Sequence, residues 1–281
     1  MDIIPQASEK ILKLFLYYYL WDNTAMNLDK FITMNSGDTV HYLEFGKGEP
    51  LVLVPSLWVT SKSYVALGQE LGKFYRVFTP DIFRGKSEFS GVATHIDTYT
   101  AKLAEFIDRV HLKNYYLVCV SLSGIIASKY ICTYPNRPKK MFLISTTVLP
   151  LRMKYERLTL FWGYLTLVYH NMFSFGGIAT NWLWMTDGLD NARLHFRQAW
   201  TEGLIATSLD IENVKQLPVP TKLVFALRDE FVPREAVSRL QKVGNLEIET
   251  VDRYHGWFFR HEEELAKKIY EYFSSHTPLA R

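Results

Sequence analysis

The chain has 281 residues, 48% of them hydrophobic and 22% charged, with a formal net charge of +3. That balance suits one large soluble domain with a substantial core, and it offers no basic run interleaved with aromatics, which argues against nucleic acid as a partner. Two cysteines, Cys119 and Cys132, supply neither a disulfide framework nor a zinc ligand set, and so few of them fit a reducing, cytoplasmic setting.

The first thirty residues read as a helical extension. "ILKLFLYYYLW" (Ile11 to Trp21) is apolar almost all round a helix, yet it is shorter than the ~20 residues of a membrane span and Lys13 interrupts it. The acidic start "MDIIPQASEK" and the poor cleavage site "NTAM" argue against a signal peptide. Packing on the body, or contact with a membrane surface or a second copy of the chain, are the readings left open.

From Phe31 the periodicity changes. "FITMNSGDTVHYLEF" predicts two short strands around a polar turn at Asn35 to Asp38. Further strands are predicted at "PLVLVP" (Pro50 to Pro55), "YRVFTP" (Tyr75 to Pro80), "YYLVCV" (Tyr115 to Val120), "KMFLIST" (Lys140 to Thr146), "TKLVFAL" (Thr221 to Leu227) and "LEIETV" (Leu246 to Val251). Most lack alternation, as parallel strands buried on both faces do. Helical patterns separate them: Ala66 to Phe74, Thr98 to Leu112, Leu122 to Pro135, Arg234 to Val243 and Glu262 to Phe273. Strand alternating with helix predicts an α/β fold with a mostly parallel central sheet and helices on both faces.

The alternation breaks from about Leu149 to Glu212. Leu158 to Thr186 contains no Asp, Glu, Lys or Arg and is rich in aromatics. His170, Asn171, Gly176, Gly177 and Asn181 divide it into pieces too short for a bilayer, so a helical insertion covering an apolar pocket is expected. The expected organisation is thus a helical extension over 1–30, a core over 31–148 and 213–281, and a helical cap over 149–212.

Within the core, "CVSLSG" puts Ser121 where a buried strand hands over to a helix. A tight turn there exposes the side chain at the carboxyl edge of the sheet, and it requires small residues two positions before and after. Cys119 and Ser123 fill those positions in place of the glycines of G-x-S-x-G. A serine capping the following helix is the plainer reading, and Ser123 is a rival nucleophile, although its own flank would include the β-branched Ile125. A serine hydroxyl needs a histidine to take its proton and a carboxylate to orient that histidine. Asp229 in "ALRDEFVP" follows one late strand and His255 in "DRYHGWF" follows the last, in the chain order Ser, Asp, His.

With these residues in hand, the stretch from Phe31 to Phe273 resembles the α/β-hydrolase fold family, in the branch with a helical cap. "YRVFTPDIFRGKSEFSG" is similar to that family's loop after the fourth strand, with Asp81, Arg84, Gly85 and Ser87 as loop-shaping residues. "ALRDEFVP" resembles the acid loop and "YHGWFFRHEEEL" the histidine loop. The resemblance implies Ser121 as nucleophile, Asp229 as orienting acid and His255 as base. It also implies an oxyanion hole from the backbone N–H groups of Leu57 and Leu122. There the chain departs from the pattern, because "VPSLW" has Pro55 and Ser56 where His-Gly is usual.

These readings converge on a serine hydrolase acting on a carboxylic ester, thioester or lactone with an apolar or aromatic group, with no metal or organic cofactor. Trp58, Phe161, Trp162 and Trp257 are candidate pocket residues, with core packing as the equal alternative for each. C–C bond hydrolysis or acyl transfer by the same three residues is a second reading. A non-catalytic ligand receptor is a third, motivated by the missing elbow glycines. A membrane-associated lipase joins the first reading to the Ile11 to Trp21 helix.

Overall fold

The computed structural model describes residues 28–57, 59–83, 85–90, 96–146, 162–163, 165–166, 169, 216–232 and 234–275. The predicted Ile11 to Trp21 helix, Trp58, Phe161 and most of the expected cap lie outside them.

Eight strands form one sheet: β1 (Asp29–Thr33), β2 (Thr39–Phe45), β3 (Pro50–Val54), β4 (Arg76–Pro80), β5 (Tyr116–Val120), β6 (Met141–Ile144), β7 (Gln216–Ala226) and β8 (Gly244–Val251). Their order is β1-β2-β4-β3-β5-β6-β7-β8. β1 with β2, and β2 with β4, pair antiparallel; every later pair is parallel. The helices are α1 (Val65–Leu71), α2 (Ile96–Arg109), α3 (Leu122–Thr133), α4 (Glu235–Leu240) and α5 (Glu262–Ser274).

The apolar strand runs hide a period of two. In β5, Leu117 and Cys119 join the core beneath α2 and α3, whereas Tyr116, Val118 and Val120 join the core beneath α1 and α5. β3 divides in the same way, Val52 and Val54 against Leu51 and Leu53. Both faces are therefore covered, and alternation cannot appear in the sequence because neither face needs polar residues. The edge strands β1 and β8 are the exceptions: their side chains are half-buried or exposed.

This arrangement fixes the site's frame. β5, β6, β7 and β8 are adjacent and parallel, so the turns that follow them emerge side by side at one edge of the sheet. Ligands of open parallel sheets sit at that carboxyl edge.

Candidate active site

Ser121 lies between the last residue of β5 and the first of α3, at φ 54° and ψ −128°. This is a left-handed conformation that L-residues adopt only under constraint. The constraints are visible. The Ser121 N–H donates to the Ile144 carbonyl at 3.0 Å, and its carbonyl accepts from the Gly124 N–H at 2.9 Å and from the Thr146 hydroxyl. Two residues on, Ser123 is fully buried; its hydroxyl accepts from Val120 N–H at 2.8 Å and lies 2.9 Å from the Val54 carbonyl it can donate to. Ser123 thus braces the turn and has no access to a substrate.

The Ser121 Oγ is 3.0 Å from His255 Nε2, and His255 Nδ1 is 2.8 Å from Asp229 Oδ2. The second Asp229 oxygen accepts from the Phe231 and Val232 N–H groups at 2.8 and 2.9 Å, so the carboxylate is held in one orientation. Its side chain is 1% exposed, against 10% for that of His255. Burial acts to lower the His255 pKa, but the charge and hydrogen bond of Asp229, joined by the charge of Glu230, outweigh it and hold the imidazole above its ordinary value. The three residues named from the sequence are brought together in the order Oγ–imidazole–carboxylate. Such a chain can withdraw a proton from the hydroxyl and stabilise the imidazolium that results.

No protein-family model matches the chain. Among curated proteins, a cis-3-alkyl-4-alkyloxetan-2-one decarboxylase of Shewanella oneidensis is 26% identical over 129 residues, or 44% of this chain; the match spans 41% of that relative's length. Among solved structures, an esterase from Exiguobacterium antarcticum superposes with a TM-score of 0.74 at 16% identity, covering 88% of this chain and 99% of its own. A meta-cleavage product hydrolase from Pseudomonas fluorescens gives 0.72 at 17% identity, covering 88% and 98%. The chain has the α/β-hydrolase fold.

On this α/β-hydrolase scaffold the other sequence candidates fall unequally. Leu122 is the first residue of α3, beside Ser121, and Leu57 is buried three residues beyond β3. β3 pairs with β5, Val54 opposite Cys119, so the two turns are neighbours. Neither Leu57 N–H nor Leu122 N–H has an acceptor among the described residues, while the Ser56 N–H is occupied by the Tyr64 hydroxyl at 3.2 Å. Trp257, at the start of the 3-10 turn Trp257–Arg260, is 7% exposed and joins the core beneath α1 and α5. Trp162 is 58% exposed, and Gly163 beside it packs against the Phe231 ring and the Glu230 carbonyl.

Two features of the site escape a reading of the sequence. One is Gly124: a Cβ there would lie 2.5 Å from the Thr146 side chain, so α3 closes on the end of β6 only with glycine at this position. The usual elbow pattern looks for glycine one residue earlier. The other is His41, whose Nδ1 is 2.7 Å from Asp81 Oδ2 and whose Nε2 is 2.8 Å from Asp29 Oδ1. Ionised carboxylates only accept, so these two contacts favour the protonated ring, in which both nitrogens donate; burial opposes that charge, and the Asp81 and Asp29 contacts outweigh it to raise the His41 pKa. Asp81 also accepts the Ser61 N–H at 2.6 Å, which ties this pair to the chain just after Leu57. The Ser87 hydroxyl accepts the His41 N–H and donates to the Asp81 carbonyl, both at 2.9 Å.

Proposed function

We propose that the chain is a serine hydrolase cleaving a carboxylic ester, thioester or lactone with an apolar or aromatic group. The observation that carries this reading is the continuous hydrogen-bonded path from Ser121 Oγ through His255 to Asp229. His255 Nε2 takes the hydroxyl proton as Oγ attacks the carbonyl carbon, and the carbonyl electron pair moves to oxygen. The oxyanion is held by the Leu57 and Leu122 N–H groups, each worth roughly 3–4 kcal/mol. Collapse expels the alcohol or thiol, which takes the proton from His255 and leaves the acyl group on Ser121. Water, deprotonated by the same imidazole, then releases the acid and regenerates the serine. Asp229 stays ionised throughout.

The apolar substrate class is supported by the uncharged stretch from Leu158 to Thr186, read as part of a cap. Residues 162, 163, 165, 166 and 169 are helical, and Gly163 packs on Phe231 beside the imidazole. The name of the curated relative describes action on an alkyl-substituted oxetan-2-one, a cyclic ester, and supports including lactones. The likeness to a meta-cleavage product hydrolase supports C–C bond hydrolysis by the same residues as the second reading; product analysis separates the two.

Among the described residues no helix is long and apolar enough to cross a membrane. Contact with a membrane surface, or a homodimer, through the N-terminal helix or the cap is a separate proposal. Vesicle co-sedimentation and sedimentation velocity, with and without residues 1–30, test it.

The deciding experiment exposes the protein to a fluorophosphonate probe and maps the adduct by mass spectrometry. An adduct on Ser121, absent from Ser121→Ala and weakened in His255→Ala, is expected. Folded protein that takes no adduct would sink the hydrolase reading in favour of a ligand receptor.

A further inference from the structure

His255 is gripped at more than its ring. Its backbone N–H donates to the Glu230 carboxylate, with 2.9 Å between N and Oε2, while its Nδ1 lies 2.8 Å from Asp229. The ring of the next residue, Phe231, stands against the imidazole with centroids 4.8 Å apart and planes at 75°. One tripeptide, Asp229-Glu230-Phe231, therefore meets the histidine at its ring nitrogen, its main chain and its ring face or edge. The outer side of this tripeptide is covered in turn: a Cβ on Gly163 would lie 2.9 Å from the Phe231 ring and 3.1 Å from the Glu230 carbonyl.

We propose that Glu230 is a positioning residue for the base: its carboxylate anchors the His255 main chain while Asp229 anchors the ring, and its negative charge favours the imidazolium formed in each proton transfer. This rests on the serine-hydrolase reading. The hydrogen bond is charge-assisted, and it holds the His255 main chain itself, two residues beyond the Arg228 N–H to Arg253 carbonyl bond (2.9 Å) and the Arg228–Asp252 fork that also join the loops after β7 and β8. A carboxylate on the neighbouring residue also adds to the field at the ring without competing with Asp229 for Nδ1. That agrees with the direction in which the imidazole is shifted: burial opposes, and Asp229 and then Glu230 reverse it.

Other charges on these elements are otherwise engaged. Arg228 forks onto Asp252 with bonds of 2.6 and 2.5 Å, Arg234 donates to the Leu227 carbonyl at 2.5 Å, and Arg253 Nη1 is 2.7 Å from His261 Nε2. The described residues of the 162–169 segment bring Trp162, Gly163, Leu165, Thr166 and Tyr169, none of them charged near neutral pH. Among the described residues, Asp229 and Glu230 are the two carboxylates that act on the ring.

The test compares Ser121 labelling by a fluorophosphonate across pH with an NMR titration of the His255 imidazole, in the wild type, Glu230→Gln and Glu230→Ala. Gln keeps an acceptor for the His255 N–H and removes the charge. Both midpoints should move to lower pH, so that Glu230→Gln labels faster than the wild type on the acid limb. A merely structural role produces no such gain. Ala removes acceptor and charge together; its midpoint should move the same way, and its plateau should fall roughly 10-fold below that of Gln. Coincident titrations of the wild type and Glu230→Gln overturn the electrostatic half, and equal plateaus for Gln and Ala overturn the anchoring half. Should Glu230→Ala not fold, Glu230→Gln still decides the first, and Glu230→Leu, which fills the space without an acceptor, replaces Ala in the plateau comparison for the second. If the wild type takes no label while its imidazole titration still shifts in Glu230→Gln, the hydrolase reading falls and the role of Glu230 at His255 stands.

Discussion

Gly124 and Thr146 touch where α3 passes the end of β6, and there is no space between them for a methyl group. An added Cβ would sit 2.5 Å from both Thr146 Oγ1 and Cγ2, and 2.9 Å from its Cβ. The same threonine hydroxyl donates to the Ser121 carbonyl. Gly124→Ala must therefore displace the threonine, the helix, or both, and loosen the turn that presents Ser121. We expect a loss of about 1–3 kcal/mol in urea unfolding, as overpacking of a close contact costs, together with slower labelling of Ser121. An unchanged unfolding midpoint would mean the contact yields freely.

Strain at Ser121 gives the opposite sign. A side chain at φ 54° and ψ −128° costs of order 1–3 kcal/mol, and glycine escapes that cost while losing some backbone entropy. Ser121→Gly should therefore be more stable than the wild type by about 1 kcal/mol while taking no fluorophosphonate. Thermal unfolding of the two proteins side by side checks this, and a less stable glycine variant would contradict the strain.

Ser123 separates the two candidate nucleophiles. Its hydroxyl is buried between Val120 and Val54, so Ser123→Ala leaves the Val120 N–H short of a partner and should cost roughly 1–3 kcal/mol. The adduct should still map to Ser121. An adduct lost in Ser123→Ala but retained in Ser121→Ala would reverse the assignment.

How much of this the chain announces depends on the range of the interactions. The central strands are readable because burial on both faces leaves continuous apolar runs, and Ser121, Asp229 and His255 are readable because they lie one, three and four residues past the ends of β5, β7 and β8 in one parallel sheet. Glu230 is not, since an acid in a loop looks solvated and its partner is a main-chain N–H 25 residues away. Nor is His41, which lies inside a strand and finds its carboxylates 12 and 40 residues away.

The raised pKa of His255 sets the pH dependence of the nucleophile. Only the neutral imidazole accepts the Ser121 proton, so labelling should rise with pH and reach half its plateau above about 6.5, the ordinary histidine value. Asp229→Asn should lower that midpoint and reduce the plateau, because the ring loses both its counter-charge and its orientation. Rates measured from pH 5 to 9 check both, and a midpoint below the ordinary value would show that burial, not Asp229, governs the ring.

His41 makes stability pH-dependent in its own way. Burial opposes its charge, but bonds and charges from Asp81 and Asp29 raise its pKa in the folded state. The protonated ring then stabilises the fold fully below the unfolded value of about 6.5, and that contribution fades as pH rises through the folded value. On the acid side, Asp29, Glu44 and Glu249 are shifted the other way: burial raises each, but ion pairs win, so their contributions hold above their unfolded values and are lost as pH falls through the folded ones. Stability should therefore peak between these limits. His41→Asn leaves Asp81 buried without its cation and should cost about 3 kcal/mol near pH 6. The gap to the wild type should narrow as pH rises, with the share owed to His255 still present in the variant's own alkaline decline. Urea midpoints for both proteins from pH 4 to 9 test this. A gap that stayed constant across that range would show the His41 ring to be neutral and its two carboxylate contacts to be those of a shared proton.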